Sequence, residues 1–262
     1  MAASFDFKRF SVSNELSAQK VGTDGVLLGA WVALDGTERH ILDVGTGTGV
    51  IALMLAQRTA NPSLKTDVPD SHACDDIYPG ATIIGIDIDA PSAEEAAANF
   101  KASPWSGRMA AFQGDFRGLG GDMPHPLSFL KCPYDLIVSN PPFFTDSLKA
   151  PEARRSDARH SDALTFEDML REATSLLSPE GRLAVIYPAL EAERLSGEAL
   201  SAGLFPIRSC RVSTKAGKAP KRIMMEFSRQ KKEPLTEELF IHEGDGFSEA
   251  YIALTRDFYL KF

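Results

Sequence analysis

Asp43-Val44-Gly45-Thr46-Gly47-Thr48-Gly49 sets three glycines at alternate positions, two residues behind an acid. Glycines at such spacing let a backbone turn tightly and let a ligand approach it closely, while a helix starting there offers N–H groups. A dinucleotide fingerprint reads G-x-G-x-x-G, one residue longer before its last glycine. An acid ahead of the first glycine suits a ligand with an ammonium group rather than a pyrophosphate, and S-adenosyl-L-methionine carries such a group. Two further acids extend the pattern. Asp87, followed by Ile88, ends a β-branched run where a carboxylate can hold ribose hydroxyls. Asp115, with Phe116 beside it, is placed to accept a hydrogen bond from an adenine amino group. Asp87 lies 42 residues beyond Gly45, against about 20 in the dinucleotide pattern. An irregular stretch rich in Pro, Asp and Ser, 61–80, accounts for the excess.

The second group is Asn140-Pro141-Pro142-Phe143. A planar amino group on a base or a carboxamide is a poor nucleophile, because its lone pair is delocalised. Accepting both of its hydrogens draws the nitrogen toward a tetrahedral shape. The Asn140 side-chain carbonyl is one acceptor and the Pro141 backbone carbonyl a second, its direction stiffened by two fixed φ angles. Phe143 offers a flat face to a base. No general base is required, so the corner works by positioning. Asn-Pro-Pro is also good turn chemistry, and the corner alone specifies a planar amino group and nothing narrower.

The elements that must hold these residues alternate in type. Strand-like runs at Ile41–Val44, Ala81–Asp87, Met109–Gln113, Tyr134–Ser139 and Arg182–Tyr187 are separated by helix-like segments. Those segments are the apolar Val50–Ala56, a face of Ala93, Ala96, Ala97 and Phe100, a capped segment from Thr165 and Asp168, and Glu191–Ala202. Ile207–Ser213 and Ile223–Phe227 follow with no helix between them, predicting a hairpin at 207–228, and Phe247–Leu260 reads as an amphipathic helix. The expected fold is α/β: a doubly wound, mostly parallel seven-stranded sheet with a C-terminal antiparallel hairpin, a Rossmann-like architecture. With no internal repeat or linker, residues 1–262 are expected to form a single domain.

Composition narrows the remainder. No apolar run approaches a membrane span, and the N-terminus lacks a signal-peptide layout, so the expectation is a cytoplasmic protein without a membrane partner. Cys74, Cys132 and Cys210 are far apart, with no metal-ligand or disulfide spacing. The formal charge is −8, yet residues 208–232 carry nine Lys/Arg against Glu226 alone, a net +8 that leaves −16 for the rest. Such segregation offers a local basic face.

With both motifs placed, the chain resembles the class I methyltransferases that carry Asn-Pro-Pro-Tyr/Phe. More narrowly, it resembles the bacterial tRNA1(Val) (adenine-37-N6)-methyltransferase family. The resemblance rests on Phe5–Phe10, the block Lys20–Trp31, Ala52–Arg58, Ser103-Pro104-Trp105, Ser248–Thr255 and Phe258-Tyr259, and it spans essentially the whole chain. It implies S-adenosyl-L-methionine as cofactor, held by Val21, Gly22, Thr23, Asp24, Asp43, Gly45, Gly47, Asp87, Ile88, Asp115, Phe116 and Asn140, with residues 1–35 covering it. It implies Asn140, Pro141, Pro142 and Phe143 as the catalytic corner and no metal. Position 143 is Phe where many relatives have Tyr, and guanine-N2 methyltransferases also carry Phe there.

The implied partner is tRNA, through its anticodon loop, with the target adenine turned out of the stack. The candidate RNA contacts are Lys215, Lys218, Lys221 and Arg222 on the hairpin, and Arg154 and Arg155 in a second basic cluster with Lys149 and Arg159. Two other readings stand beside this one. A protein glutamine N5-methyltransferase presents the same planar NH2 but needs no basic face. A non-catalytic cofactor-binding module would not keep Asn140 and the glycine loop intact.

Overall fold

The computed structural model describes residues 4–60, 80–141 and 164–262. Most of the 61–80 stretch, Cys74, Pro142, Phe143, Lys149, Arg154, Arg155 and Arg159 lie outside the described residues. The chain begins with a small hairpin of β1 (Ser4–Asp6) and β2 (Ser11–Ser13), followed by α1 (Thr23–Trp31). Among the described residues five strands and four helices follow, with β5 and β6 adjacent in the series: β3 (His40–Val44), α2 (Val50–Thr59), β4 (Thr82–Asp87), α3 (Ala90–Ala102), β5 (Met109–Gln113), β6 (Tyr134–Ser139), α4 (Phe166–Leu176), β7 (Leu177–Pro188), α5 (Ala192–Ser201). The C-terminal part holds β8 (Phe205–Lys215), β9 (Arg222–Ser228), β10 (Leu235–Glu243), β11 (Gly246–Phe247) and α6 (Glu249–Thr255).

Nine strands form one sheet in the order β11-β10-β8-β9-β7-β6-β3-β4-β5. The stretch from β8 to β5 is the expected seven-stranded sheet: β7, β6, β3, β4 and β5 run parallel, and β9 runs antiparallel between β7 and β8. Strand order reverses between β3 and β6. In an open α/β sheet that reversal leaves a crevice beyond the strands' carboxyl ends. The chain's three strand-end acids and Asn140 all lie on this edge.

Two strands of the nine-stranded sheet, like the small β1–β2 hairpin, were not read from sequence. β10 adds parallel to β8, and β11 pairs back on β10. Leu235–Glu243 is mostly polar because β10 is half-solvated, and such a strand carries little apolar alternation. The expected helix over Phe247–Leu260 is shorter, starting only where the Ser248 side chain accepts the Tyr251 N–H. Phe247 belongs instead to β11.

The sheet is covered on both faces by separate apolar clusters. One gathers α1, α2 and α3 residues such as Leu28, Leu53 and Phe100; the other gathers α4 and α5 residues such as Met169, Leu170 and Leu195. The capping box of α4 forms as expected, with Thr165 and Asp168 bonding reciprocally. α2 is apolar on nearly every side because α1 lies over the face turned away from the sheet. Gly25 and Gly29 make that contact possible. A Cβ on Gly29 would sit 2.9 Å from the Met54 sulfur, and one on Gly25 would sit 3.2 Å from a Val50 methyl. Four-residue glycine spacing on α1 meets four-residue spacing on α2, so the start of α1 comes to rest beside the glycine loop.

Candidate active site

The loop after β3 is built from its own acids. Gly45, Gly47 and Gly49 have φ of 69°, 55° and 80°, the left-handed region that glycine enters freely. A Cβ on Gly45 would meet nothing within 4 Å, whereas one on Gly49 would lie 2.4 Å from the Phe100 ring. Gly45 therefore faces open space and Gly49 is the packing residue. The N–H groups of Gly45 and Thr46 donate to the Ile86 carbonyl at 2.9 and 3.0 Å, and that of Gly47 donates to Asp87 Oδ2 at 2.9 Å. Asp43 Oδ2 accepts from Thr46 Oγ1 at 2.8 Å and from the Ala52 N–H at 3.3 Å. The loop thus spends these donors internally, which a phosphate cradle would leave free.

The same bonds set the electrostatics. Complete burial pushes the Asp43 carboxyl up to about 7, and its Oδ1 has no hydrogen-bond partner among the described residues. Burial also raises Asp87, against the hydrogen bonds it accepts from Asp89 and Gly47. At Asp115 burial pushes upward, but paired hydrogen bonds from Arg117 hold the carboxyl below its ordinary value.

Two adjoining cavities of about 300 and about 260 Å³ share Gln19, Gly45 and Gly47 as walls. The first is lined by Gly22, Thr23, Asp24 and Asn140; the second by Asp87, Ile88, Asp115, Phe116 and Pro141. The structure therefore brings together nearly all of the residues expected to hold a cofactor. Asp43 lies behind the loop with its side chain fully buried. Val21 packs against the core, its N–H bonded to Asn14 Oδ1 at 3.1 Å. Asn140 follows β6, whose last residue, Ser139, ties to the end of β3 through a 2.8 Å bond to the Val44 carbonyl. The Asn140 Oδ1 acceptor is buried and has no partner among the described residues.

This donor set fits an S-adenosylmethionine-like ligand. A glycine faces open space, acids surround the loop, and the buried Asn140 Oδ1 has no donor among the described residues. Among the described residues, no group of His, Cys, Asp or Glu is arranged to hold a metal ion, and no helix is long and apolar enough to cross a membrane.

The comparisons agree with this geometry. A family model described as a methyltransferase domain matches residues 36–232. A tRNA1(Val) (adenine(37)-N6)-methyltransferase of Bacteroides fragilis is 42% identical over 258 residues, covering 98% of each chain. A protein of the same name from Tolumonas auensis is 39% identical, covering 98% of this chain and 97% of its own. The chain belongs to the tRNA1(Val) (adenine(37)-N6)-methyltransferase family. Members of the wider methyltransferase fold are also found among solved structures. A predicted O-methyltransferase from Agrobacterium tumefaciens aligns with a TM-score of 0.61 at 18% identity, covering 90% of this chain and 96% of that one, and shows the shared fold.

Within this family fold, the basic hairpin divides into two kinds of cation. Lys215, Lys218 and Lys221 are exposed at its turn, on the edge of the sheet that carries Asn140. Arg222, grouped with them from sequence, instead bonds Asp24 Oδ2 at 2.7 Å beside the first cavity. Arg208 is likewise committed, pairing with Glu237 at 2.8 Å and lying 4.3 Å over the Trp31 ring. Sequence reasoning missed Glu95 and Asn99, both buried on α3 beside the apolar face. The available signal was a polar pair at i, i+4 flanked by Ala93, Ala96 and Phe100. Ala97, assigned to that face from sequence, is exposed.

Proposed function

We propose that this chain transfers a methyl group from S-adenosyl-L-methionine to the N6 amino group of an adenine in tRNA, adenine 37 of tRNA1(Val) being the target in its relatives' names. The observation that carries the reading is the juxtaposition at the sheet's switch point. Asn140 presents an unpartnered acceptor beside a glycine loop whose surroundings are acidic rather than phosphate-binding.

Asp87 and Asp115 would hold the ribose hydroxyls and the adenine amino group of the cofactor, and Gly45 and Gly47 would face its methionine end, with the buried Asp43 supporting the loop from behind. The bound cofactor supplies an electrophilic methyl on a sulfonium. Asn140 Oδ1 and the Pro141 carbonyl accept the two hydrogens of the target amine, freeing its lone pair to point at that methyl. One of those protons leaves to solvent after the nitrogen–carbon bond has formed. Residues 1–35 would cover the cofactor within a single methyltransferase unit, and Lys218 and Lys221 would contact phosphates of the anticodon loop, as would Arg154 and Arg155. Such an enzyme acts in the cytoplasm, where tRNA resides.

The test is to label tRNA with methyl-radioactive cofactor and this protein, then digest it to nucleosides. N6-methyladenosine at position 37 is expected. N2-methylguanosine would redirect the reading, and label confined to protein would overturn it in favour of a glutamine target.

A further inference from the structure

The N-terminal segment between β2 and α1 crosses the cleft on a single buried carboxylate. Glu95, 2% exposed on α3, gathers one donor from the last residue of β2 and three from that segment. Its Oε1 accepts from Ser13 Oγ at 3.1 Å, the Glu15 N–H at 2.5 Å and the Leu16 N–H at 3.0 Å; Oε2 accepts from the Ser17 N–H at 2.8 Å. One turn on, Asn99 accepts from the Ser13 N–H at 2.8 Å and donates to the carbonyls of Ser13 and Thr48 at 3.0 and 2.9 Å. Thr48 is a glycine-loop residue, so Asn99 ties the segment to the loop.

Beyond Ser17 the chain forms the wall of both cavities. Ala18 and Gln19 line the second, and Gln19 and Lys20 line the first. Ser17 Oγ and the Gln19 carbonyl would lie 3.6 and 3.8 Å from a Cβ on Gly47, so the segment rests on the loop itself. Without an acceptor, three successive N–H groups at 15–17 would turn to water and the segment would lose its fixed path. Glu95 itself lines neither cavity.

We propose that Glu95 is a positioning residue for cofactor retention: it fixes residues 15–20 as the wall that closes the cleft over the glycine loop. The proposal rests on the cofactor reading of that cleft. It assigns to a buried α3 acid the holding of a ligand it does not touch. Loss of Glu95 therefore changes how tightly cofactor is held, while Asn140 and the RNA face keep their geometry.

The experiment compares Glu95→Gln with the wild type and with Asp87→Ala, using S-adenosylhomocysteine binding by calorimetry and steady-state methylation of tRNA. Glutamine keeps one acceptor oxygen but turns an NH2 group toward backbone N–H groups that can only donate. The expected result is at least a tenfold weaker Kd for S-adenosylhomocysteine and a matching rise in KM for S-adenosylmethionine. At saturating cofactor, kcat and the KM for tRNA stay within about twofold. An unchanged Kd overturns the proposal, as does a loss of kcat with both KM values unaltered. Asp87→Ala separates the two failures: if it weakens binding while Glu95→Gln does not, only the positioning role falls. If neither weakens binding, the cofactor reading falls with it. Should Glu95→Gln not fold, amide exchange in the wild type decides. Slower exchange of the Glu15–Ser17 amides on adding S-adenosylhomocysteine is expected, and unaltered exchange overturns the proposal.

Discussion

Asp43→Asn should uncouple stability from cofactor binding, and its size follows from the buried carboxyl. The group is inaccessible to water, and burial lifts it from 3.8 to about 7. The folded state therefore holds its proton more tightly than the unfolded chain. The associated stability is fully present below about pH 4 and is lost as pH rises through about 7. Across the whole range the shift corresponds to about 4 kcal/mol, of which about a third falls between about pH 6 and pH 8.5. Asparagine cannot ionise, yet its carbonyl can still accept from Thr46 Oγ1 and the Ala52 N–H. Urea unfolding of both proteins at those two pH values isolates the effect, because every other titration cancels in the difference. The variant should gain roughly 1 kcal/mol on the wild type between them. A difference that does not change with pH would refute the buried-acid argument. The carboxyl lines neither cavity, so the variant should be the more stable protein at high pH while its affinity for S-adenosylhomocysteine stays within a few-fold of the wild type.

Asp87→Ala removes the acceptor that holds the Gly47 N–H and the proposed ribose contact; at about 2–3 kcal/mol for a charge-assisted bond, calorimetry should show roughly 100-fold weaker cofactor binding. Asn140→Ala should lower the single-turnover methylation rate by about 100-fold or more while cofactor affinity stays within a few-fold, and a fully active variant would remove the corner from the mechanism. Replacing Lys218 and Lys221 together with Glu should weaken tRNA binding and reduce the slope of log affinity against log salt by about two. Arg222→Ala, which breaks the pair with Asp24, should instead weaken cofactor binding with little change in that slope.

What could be read in advance tracks how local the physics is. β5 and β6 begin and end where expected, because each is an apolar run closed by a turn signal. The three strand-end acids were legible for the same reason: strand ends are local and the crevice rule then collects them. β10 was not legible: β11 pairs with it only at His242 and Glu243, and a strand so near the edge pairs through its backbone while its side chains answer mainly to solvent. Nor was Glu95. A carboxylate on a helix normally reads as the solvated face, and only the path of a segment 78 to 82 residues away explains its burial. The glycines of α1 were singled out as a block, but their work is steric and depends on which helix lies opposite.

The basic segment shows most clearly how a charge count and a binding face differ. Nine cations at 208–232 give the sequence its strongest sign of a nucleic-acid partner. Folding removes several from contention. Arg208 is held by Glu237 and Trp31, Arg222 by Asp24, and Arg229 by the Thr174 carbonyl, while Lys215 reaches the Gly244 carbonyl. Lys231 and Lys232 follow the far end of β9, which runs antiparallel to the core strands and so carries them away from Asn140. Arg211, Lys218 and Lys221 are left exposed with no side-chain partner among the described residues, the two lysines lying in the turn at the active edge. Two phosphates neutralised there account for a salt slope of about 1.5 to 2, far short of what +8 suggests. The arginines bonded to Asp24 and Glu237 connect the hairpin to the two ends of α1, the helix whose start lines the first cavity. Much of the hairpin's charge thus holds the site together, and RNA affinity beyond two phosphates has to come from elsewhere on the surface.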